Sequence, residues 1–139
     1  MPAPDLNIED IHVGDYASFT HSFSEADVAA FAKLVGDMNP LHMDDAYAQS
    51  TKFGRRIVHG MLVAGLSSRF VGMHIPGRRC LYLGETFAFK HPVFINDSLT
   101  VRGKVQSVSP ATRVVRIALM ITKSTGEEVL SGTADVQIL

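Results

Sequence analysis

The segment from His59 to about His74, HGMLVAGLSSRFVGMH, limits the possible folds more than any other part of the chain. On a helix its residues are apolar on every side except at Ser67, Ser68 and Arg69, and a helix of that kind belongs inside a fold. Pro76 and Gly77 end it. Downstream the hydrophobic period changes from that of a helix to that of a strand. Tyr82 to Phe89, Ser98 to Val108, Arg113 to Lys123 and Glu128 to Leu139 each read as strands, with turn chemistry at Asn96-Asp97, Ser109-Pro110 and Thr125-Gly126. Four strands that follow one central helix over short connections predict an α+β fold, in which a curved antiparallel sheet wraps around that helix.

Upstream, Tyr16 to Phe23 alternates loosely and predicts a first strand. Ser24, with Asp27 three residues on, forms an approximate capping box, and Val28, Phe31, Ala32 and Val35 repeat at helical spacing. This helix should end near Gly36. Asp44 to Ser50 reads as a short second helix, and Thr51 to Arg56 as a loop carrying Lys52, Arg55 and Arg56. A chain of 139 residues, 46% of them hydrophobic, suits one domain spanning residues 1–139 around one core. A net charge of -1 leaves no electrostatic footprint for nucleic acid. The single cysteine, Cys80, excludes an intrachain disulfide and lies in a strand-like segment, where it fills core. The opening residues have neither a basic region nor an apolar run, and no segment approaches a membrane span, so a cytoplasmic protein is expected.

Between the two helices lies the chemistry. Asp37 and His42 bracket Met38, Asn39, Pro40 and Leu41, and the Asn-Pro step pushes Asn39 out of the helical region, which places acid and imidazole on a bend. A histidine of ordinary pKa, roughly 6.5, can take a proton near neutrality, whereas a carboxyl must be desolvated before it can give one. One base and one potential acid are what addition or removal of water across a double bond requires. The plainer alternative is that Asp37 caps a turn and His42 is a satisfied core histidine. A second cluster, IVHGM at Ile57 to Met61, puts His59 and Gly60 at the mouth of the apolar helix, where unpaired N–H groups and a partial positive charge favour a developing oxyanion. Gly60 would let a carbonyl approach the backbone, or would simply relieve crowding against the sheet.

The run GDMNPLH, followed by MDDAYA, KFGRRIVHGML and LYLGETFAFKHPVFINDSLTV, resembles the MaoC-type hydratases of the hot-dog superfamily, and within them the R-specific enoyl-CoA hydratases that feed polyhydroxyalkanoate synthesis. The likeness runs from about Gly14 to the C-terminus. It implies a hot-dog fold, with Asp37 and His42 as the catalytic dyad, Asn39 helping to orient them, the Gly60 amide on the thioester carbonyl and Ser68 supporting the site. Glu85 stands where a glutamine is expected in many relatives. The resemblance further implies an acyl-CoA substrate or an acyl carrier protein, a homodimer whose second subunit covers the edge strand, and no metal or organic cofactor. Lys52, Arg55 and Arg56 could meet the phosphates of the carrier or form a solvated loop. Leu66, Phe70 or Val71 could floor an acyl tunnel.

Other readings of these residues are a 3-hydroxyacyl-ACP dehydratase, a hot-dog acyl-CoA thioesterase and a non-catalytic acyl-CoA-binding domain. A metal site built from Asp37, His42, Asp44 and His59 is chemically possible, since all four are competent ligands.

Overall fold

A computed structural model describes residues 1–139. After a 3-10 turn at Ile8–Asp10, strand β1 (Tyr16–His21) leads into helix α1 (Glu25–Val35). Two short helices follow, α2 (Pro40–Met43) and α3 (Asp45–Gln49), and then the central helix α4 (Gly60–Met73). Four long strands complete the chain: β2 (Cys80–Phe89), β3 (Leu99–Ser109), β4 (Val114–Lys123) and β5 (Glu128–Ile138). All pairings are antiparallel, and the five-stranded sheet has the order β1-β3-β4-β5-β2. This is the hot-dog arrangement.

Alternation along the strands builds the core. Leu99, Val101 and Val105 of β3, Val115, Ile117, Leu119 and Ile121 of β4, and Leu130, Ala134, Val136 and Ile138 of β5 point to one face and are buried. Helix α4 lies on that face through Val63, Leu66, Phe70 and Val71. Gly103 makes the close approach possible, because a Cβ there would collide with the Phe70 ring. Each such buried side chain contributes about 1.5–3 kcal/mol relative to exposure.

The capping box of α1 forms as its residues predict. Ser24 Oγ accepts from Asp27 N–H at 3.2 Å, and the Asp27 carboxylate accepts from Ser24 N–H at 2.8 Å. Those bonds hold the Asp27 carboxyl below the usual range. Val28 and Ala32 are buried, Phe31 is half-buried and Val35 is exposed.

The structure corrects one expectation about α4. The helix is not enclosed on every side, because a single sheet covers only one face. Met61, Gly65, Ser68, Arg69 and Met73 stay exposed along the other. His59 is the N-cap rather than the first helical residue. The outer strands β1 and β2 each leave one side unpaired, and β2 carries exposed Leu81 and Leu83.

Candidate active site

Gly36 closes α1 in the left-handed region, at φ 84°, which costs a glycine little, and hands the chain to Asp37. Asn39 is extended, at ψ 131°, as the following proline demands, and Pro40 then opens α2, which carries His42. The bend thus contains one helical turn where an open loop was expected. Asn39 N–H donates to Asp37 Oδ1 at 3.2 Å, while its side chain accepts from Leu41 N–H at 2.9 Å and caps α2. Asn39 therefore steadies Asp37 through its backbone and His42 through the cap.

His42 is held from behind. Its Nδ1 lies 2.8 Å from the Ile57 carbonyl oxygen, an acceptor only, so Nδ1 carries a proton and, in the neutral ring, Nε2 is the nitrogen with the lone pair. The Ile57–Val58 segment is itself fixed: Ile57 N–H donates to the Leu41 carbonyl, Val58 N–H donates to the Val93 carbonyl at 2.7 Å, and Ile57 bridges Phe94. A neutral imidazole in one tautomer, with Nε2 available, is the form a general base requires.

His59 joins the pair more closely than its place at the helix mouth suggested. Only 2% exposed, it stacks on His42 with centroids 3.9 Å apart and meets the edge of Phe31 at 4.9 Å. Its Nε2 donates to the Asp37 carbonyl oxygen at 3.0 Å. His59 is the post against which Asp37 and His42 rest, and the IVHGM run was its only signal in the sequence.

One ligand-capable atom from each of Asp37, His42 and His59 lies within 4.8 Å of the others. A water between Asp37 and His42 fits that spacing. A cation fits less well at His59 Nε2, whose N–H is committed to the Asp37 carbonyl and leaves no lone pair there. Asp44 drops out of the metal set, because it caps α3 by accepting from Tyr47 N–H at 3.0 Å.

Gly60 begins α4, and its N–H has no partner within the helix. A Cβ at this position would lie 3.1 Å from the Phe89 ring, which supports the crowding explanation. Gly60 and Phe89 border a cavity of about 350 Å³ walled by Phe53, Val63, Val93 and Val129, with Lys52 on its rim. Ser68 lies on the open face of α4, two turns beyond Gly60, and is not drawn into the Asp37–His42 cluster. Its neighbour Ser67 is buried instead, against Tyr82 and Glu85.

The three loop cations separate. Arg56, whose side chain is 9% exposed, reaches Asp45, Glu25 and the His42 carbonyl, and so ties α1, α2 and α3 together. It is structural. Arg55 lies over the Phe94 ring and Lys52 over Phe53. Cys80 packs against the core, and burial pushes its thiol up, away from nucleophilic use. Leu66, Phe70 and Val71 are buried on the sheet-facing side of α4, and none of them lines the cavity beside Gly60.

The family described as "MaoC like domain" matches residues 10–126. The chain belongs to the MaoC-like family. It is 38% identical over 133 residues to an (R)-specific enoyl-CoA hydratase from Aeromonas caviae, covering 96% of this chain and 99% of that one. It is 39% identical over 134 residues to a 3-hydroxybutyryl-CoA dehydratase from Methylorubrum extorquens, covering 96% and 84%. Among solved structures, the A. caviae (R)-hydratase superposes with a TM-score of 0.91 over 94% of this chain and 99% of that one, at 38% identity. An R-hydratase from Pseudomonas aeruginosa does so with a TM-score of 0.92 over 98% and 87%, at 36% identity. Hydratase and dehydratase name the two directions of one hydro-lyase reaction, and MaoC-like relatives carry both names.

Proposed function

We propose that the protein is an (R)-specific enoyl-CoA hydratase, built as one MaoC-like domain over residues 1–139. The observation that carries the reading is the convergence of Asp37 and His42 at water-bridging distance, with His42 Nδ1–H fixed on Ile57 and Nε2 free. His42 Nε2 takes a proton from a water held between the two residues. The oxygen of that water bonds to C3 of a trans-2-enoyl thioester, and the C2=C3 π pair becomes an enolate. Asp37 then delivers a proton to C2 on the same face, and a proton returned from His42 to Asp37 resets the pair. Gly60 N–H, at the positive end of α4, supports the enolate oxygen. The thioester already makes C3 electrophilic, so the proposed step calls for neither a metal nor an organic cofactor.

Asp37 is exposed in the single chain, yet a carboxyl that gives a proton must be desolvated. Exposed Leu34, Val35, Met38 and Met61 lie close to it in sequence or on the open face of α4. A homodimer in which a second copy covers this face and the free edge of β2 would bury them and dry the site. The carrier is CoA, or an acyl carrier protein, with Lys52 and Arg55 left to meet its phosphates. No helix is long and apolar enough to cross a membrane. The proposed setting is cytoplasmic supply of polyhydroxyalkanoate precursors.

Crotonyl-CoA tests the reading. Its conjugated absorbance should bleach without release of free thiol, and an R-specific 3-hydroxyacyl-CoA dehydrogenase, not an S-specific one, should oxidise the product. Light scattering should give a dimer, and chelation should leave the rate unchanged. Thiol release at the same rate would indicate a thioesterase, and tight binding without turnover would indicate an acyl-CoA-binding protein.

A further inference from the structure

Three oxygens meet between the edge strand and the central helix: Glu85 Oε2, Tyr82 Oη and Ser67 Oγ. Ser67 Oγ lies 3.0 Å from Glu85 Oε2 and 3.0 Å from Tyr82 Oη, and Tyr82 O–H donates to Glu85 Oε2. Ser67 Oγ also lies 2.7 Å from the Ala64 carbonyl oxygen. The hydroxyl has one proton and two acceptors, and the carbonyl is the nearer. The other carboxyl oxygen, Glu85 Oε1, is buried without a partner.

Proton counting over these contacts favours a neutral acid. An ionised carboxylate spreads its charge over both oxygens, so Oε1 would hold half a charge with no donor. With a proton on Oε2 the contacts close into one chain: Tyr82 O–H donates to Glu85 Oε2, Glu85 Oε2–H donates to Ser67 Oγ, and Ser67 O–H donates to the Ala64 carbonyl. Oε1 is then an ordinary carbonyl oxygen.

Within the chain, no counter-ion offsets the charge. On α4, Arg69 lies over the Phe19 ring and reaches His21, away from this cluster. On β5, Ala134 faces Glu85 across the ladder, and the adjacent Asp135 is bound through two bonds to Arg116 of β4. On β2 the titratable neighbours are Tyr82 and the thiol of Cys80, neither cationic. Burial accordingly pushes the Glu85 carboxyl up to about 7, a rise partly offset because Ser67 O–H can turn to donate to the ionised form.

We infer that Glu85 is a positioning residue: as the neutral acid it latches edge strand β2 to helix α4, and ionisation loosens that latch and with it the Gly60 amide at the head of the helix. Ser67 sits seven residues beyond Gly60, about 10 Å along the axis. A shift of α4 on the sheet is therefore felt at the oxyanion position. The kinetic half of this inference rests on the hydratase reading; the structural half does not.

The test compares wild type with Glu85→Gln, which keeps a donor toward Ser67 and has no proton to lose. The unfolded Glu ionises near 4.5 and the folded one near 7, so wild-type stability falls as pH rises through that window and stays lower above it. The melting temperatures should therefore nearly coincide at acid pH, with Glu85→Gln several degrees higher on the alkaline side. In crotonyl-CoA hydration, wild-type kcat should fall through an ionisation near 7 that Glu85→Gln lacks, with KM little changed. A melting difference independent of pH overturns the neutral-acid latch. A pH-dependent melting difference with superimposable kcat profiles overturns the positioning role. If neither protein hydrates enoyl-CoA, the hydratase reading fails, and the melting curves still decide the state of Glu85.

Discussion

Replacing His59 tests whether the Asp37–His42 pair depends on the post behind it. The ring makes one hydrogen bond, to the Asp37 carbonyl at 3.0 Å, and packs on two rings, His42 and Phe31. Losing a partner of a buried polar group costs about 1–3 kcal/mol, and Asp37 is near solvent, so the lower part of that range applies. Each aromatic pair adds about 0.5–1.5 kcal/mol. His59→Ala should therefore lose roughly 2–5 kcal/mol, a large share of a typical stability of about 5–15 kcal/mol. His59→Phe is the sharper probe, because it keeps the ring contacts and removes only the hydrogen bond. It should lose about 1–2 kcal/mol by urea denaturation. Freed from its anchor, Asp37 would stray from the water it shares with His42, and displacements near 1 Å can cost about a hundredfold in rate. The expected result for crotonyl-CoA is a kcat lower by about ten- to a hundredfold at near-constant KM. A folded His59→Phe with wild-type kcat would refute the reasoning.

Two further outcomes follow from the contacts. Gly60→Ala puts a Cβ 3.1 Å from the Phe89 ring; pairing it with Phe89→Ala should restore melting temperature but not kcat, since the methyl still blocks a carbonyl from the amide. Restored activity in the double variant would show that Gly60 only relieves crowding. Arg56→Ala removes a guanidinium that joins Glu25, Asp45 and the His42 carbonyl. Because its acidic partners are exposed, the stability loss should be nearer about 1–2 kcal/mol than the 3–5 kcal/mol of a fully buried pair, with kcat lowered through His42. Urea denaturation and steady-state kinetics check both effects.

The strands and the central helix were legible because burial imposes a period that survives in the sequence, 2 along β3 to β5 and 3.6 along α1. The ends at Tyr16, Phe89, Lys123 and Glu128 match, and the others differ by one or two residues, as at Cys80, where the strand begins before its alternation is visible. The short helix α2 escaped because a four-residue turn opened by Asn39 and Pro40 reads equally well as a bend. The open face of α4 was hidden for a different reason. Met61, Gly65 and Met73 along it read as core, and the polar exceptions Ser67, Ser68 and Arg69 do not by themselves say which side the sheet will cover. Spacing singled out Asp37 and His42 as a pair, since both are local to one bend, and the resemblance supplied the role proposed for them. Arg56, His59 and Glu85 draw their roles from partners 31, 22 and 18 residues away, and no local pattern records such pairings.

A double-mutant cycle on the dyad tests the central claim most directly. General acid–base groups each contribute about 10²–10⁴-fold, so His42→Ala and Asp37→Ala should each lower kcat for crotonyl-CoA hydration at least about a hundredfold while the protein stays folded. Acting on one shared water, they are coupled, and the double variant should lose far less than the product of the single losses. Wild-type turnover in either single variant, or losses that simply multiply in the double, would contradict a dyad of Asp37 and His42 working on one water.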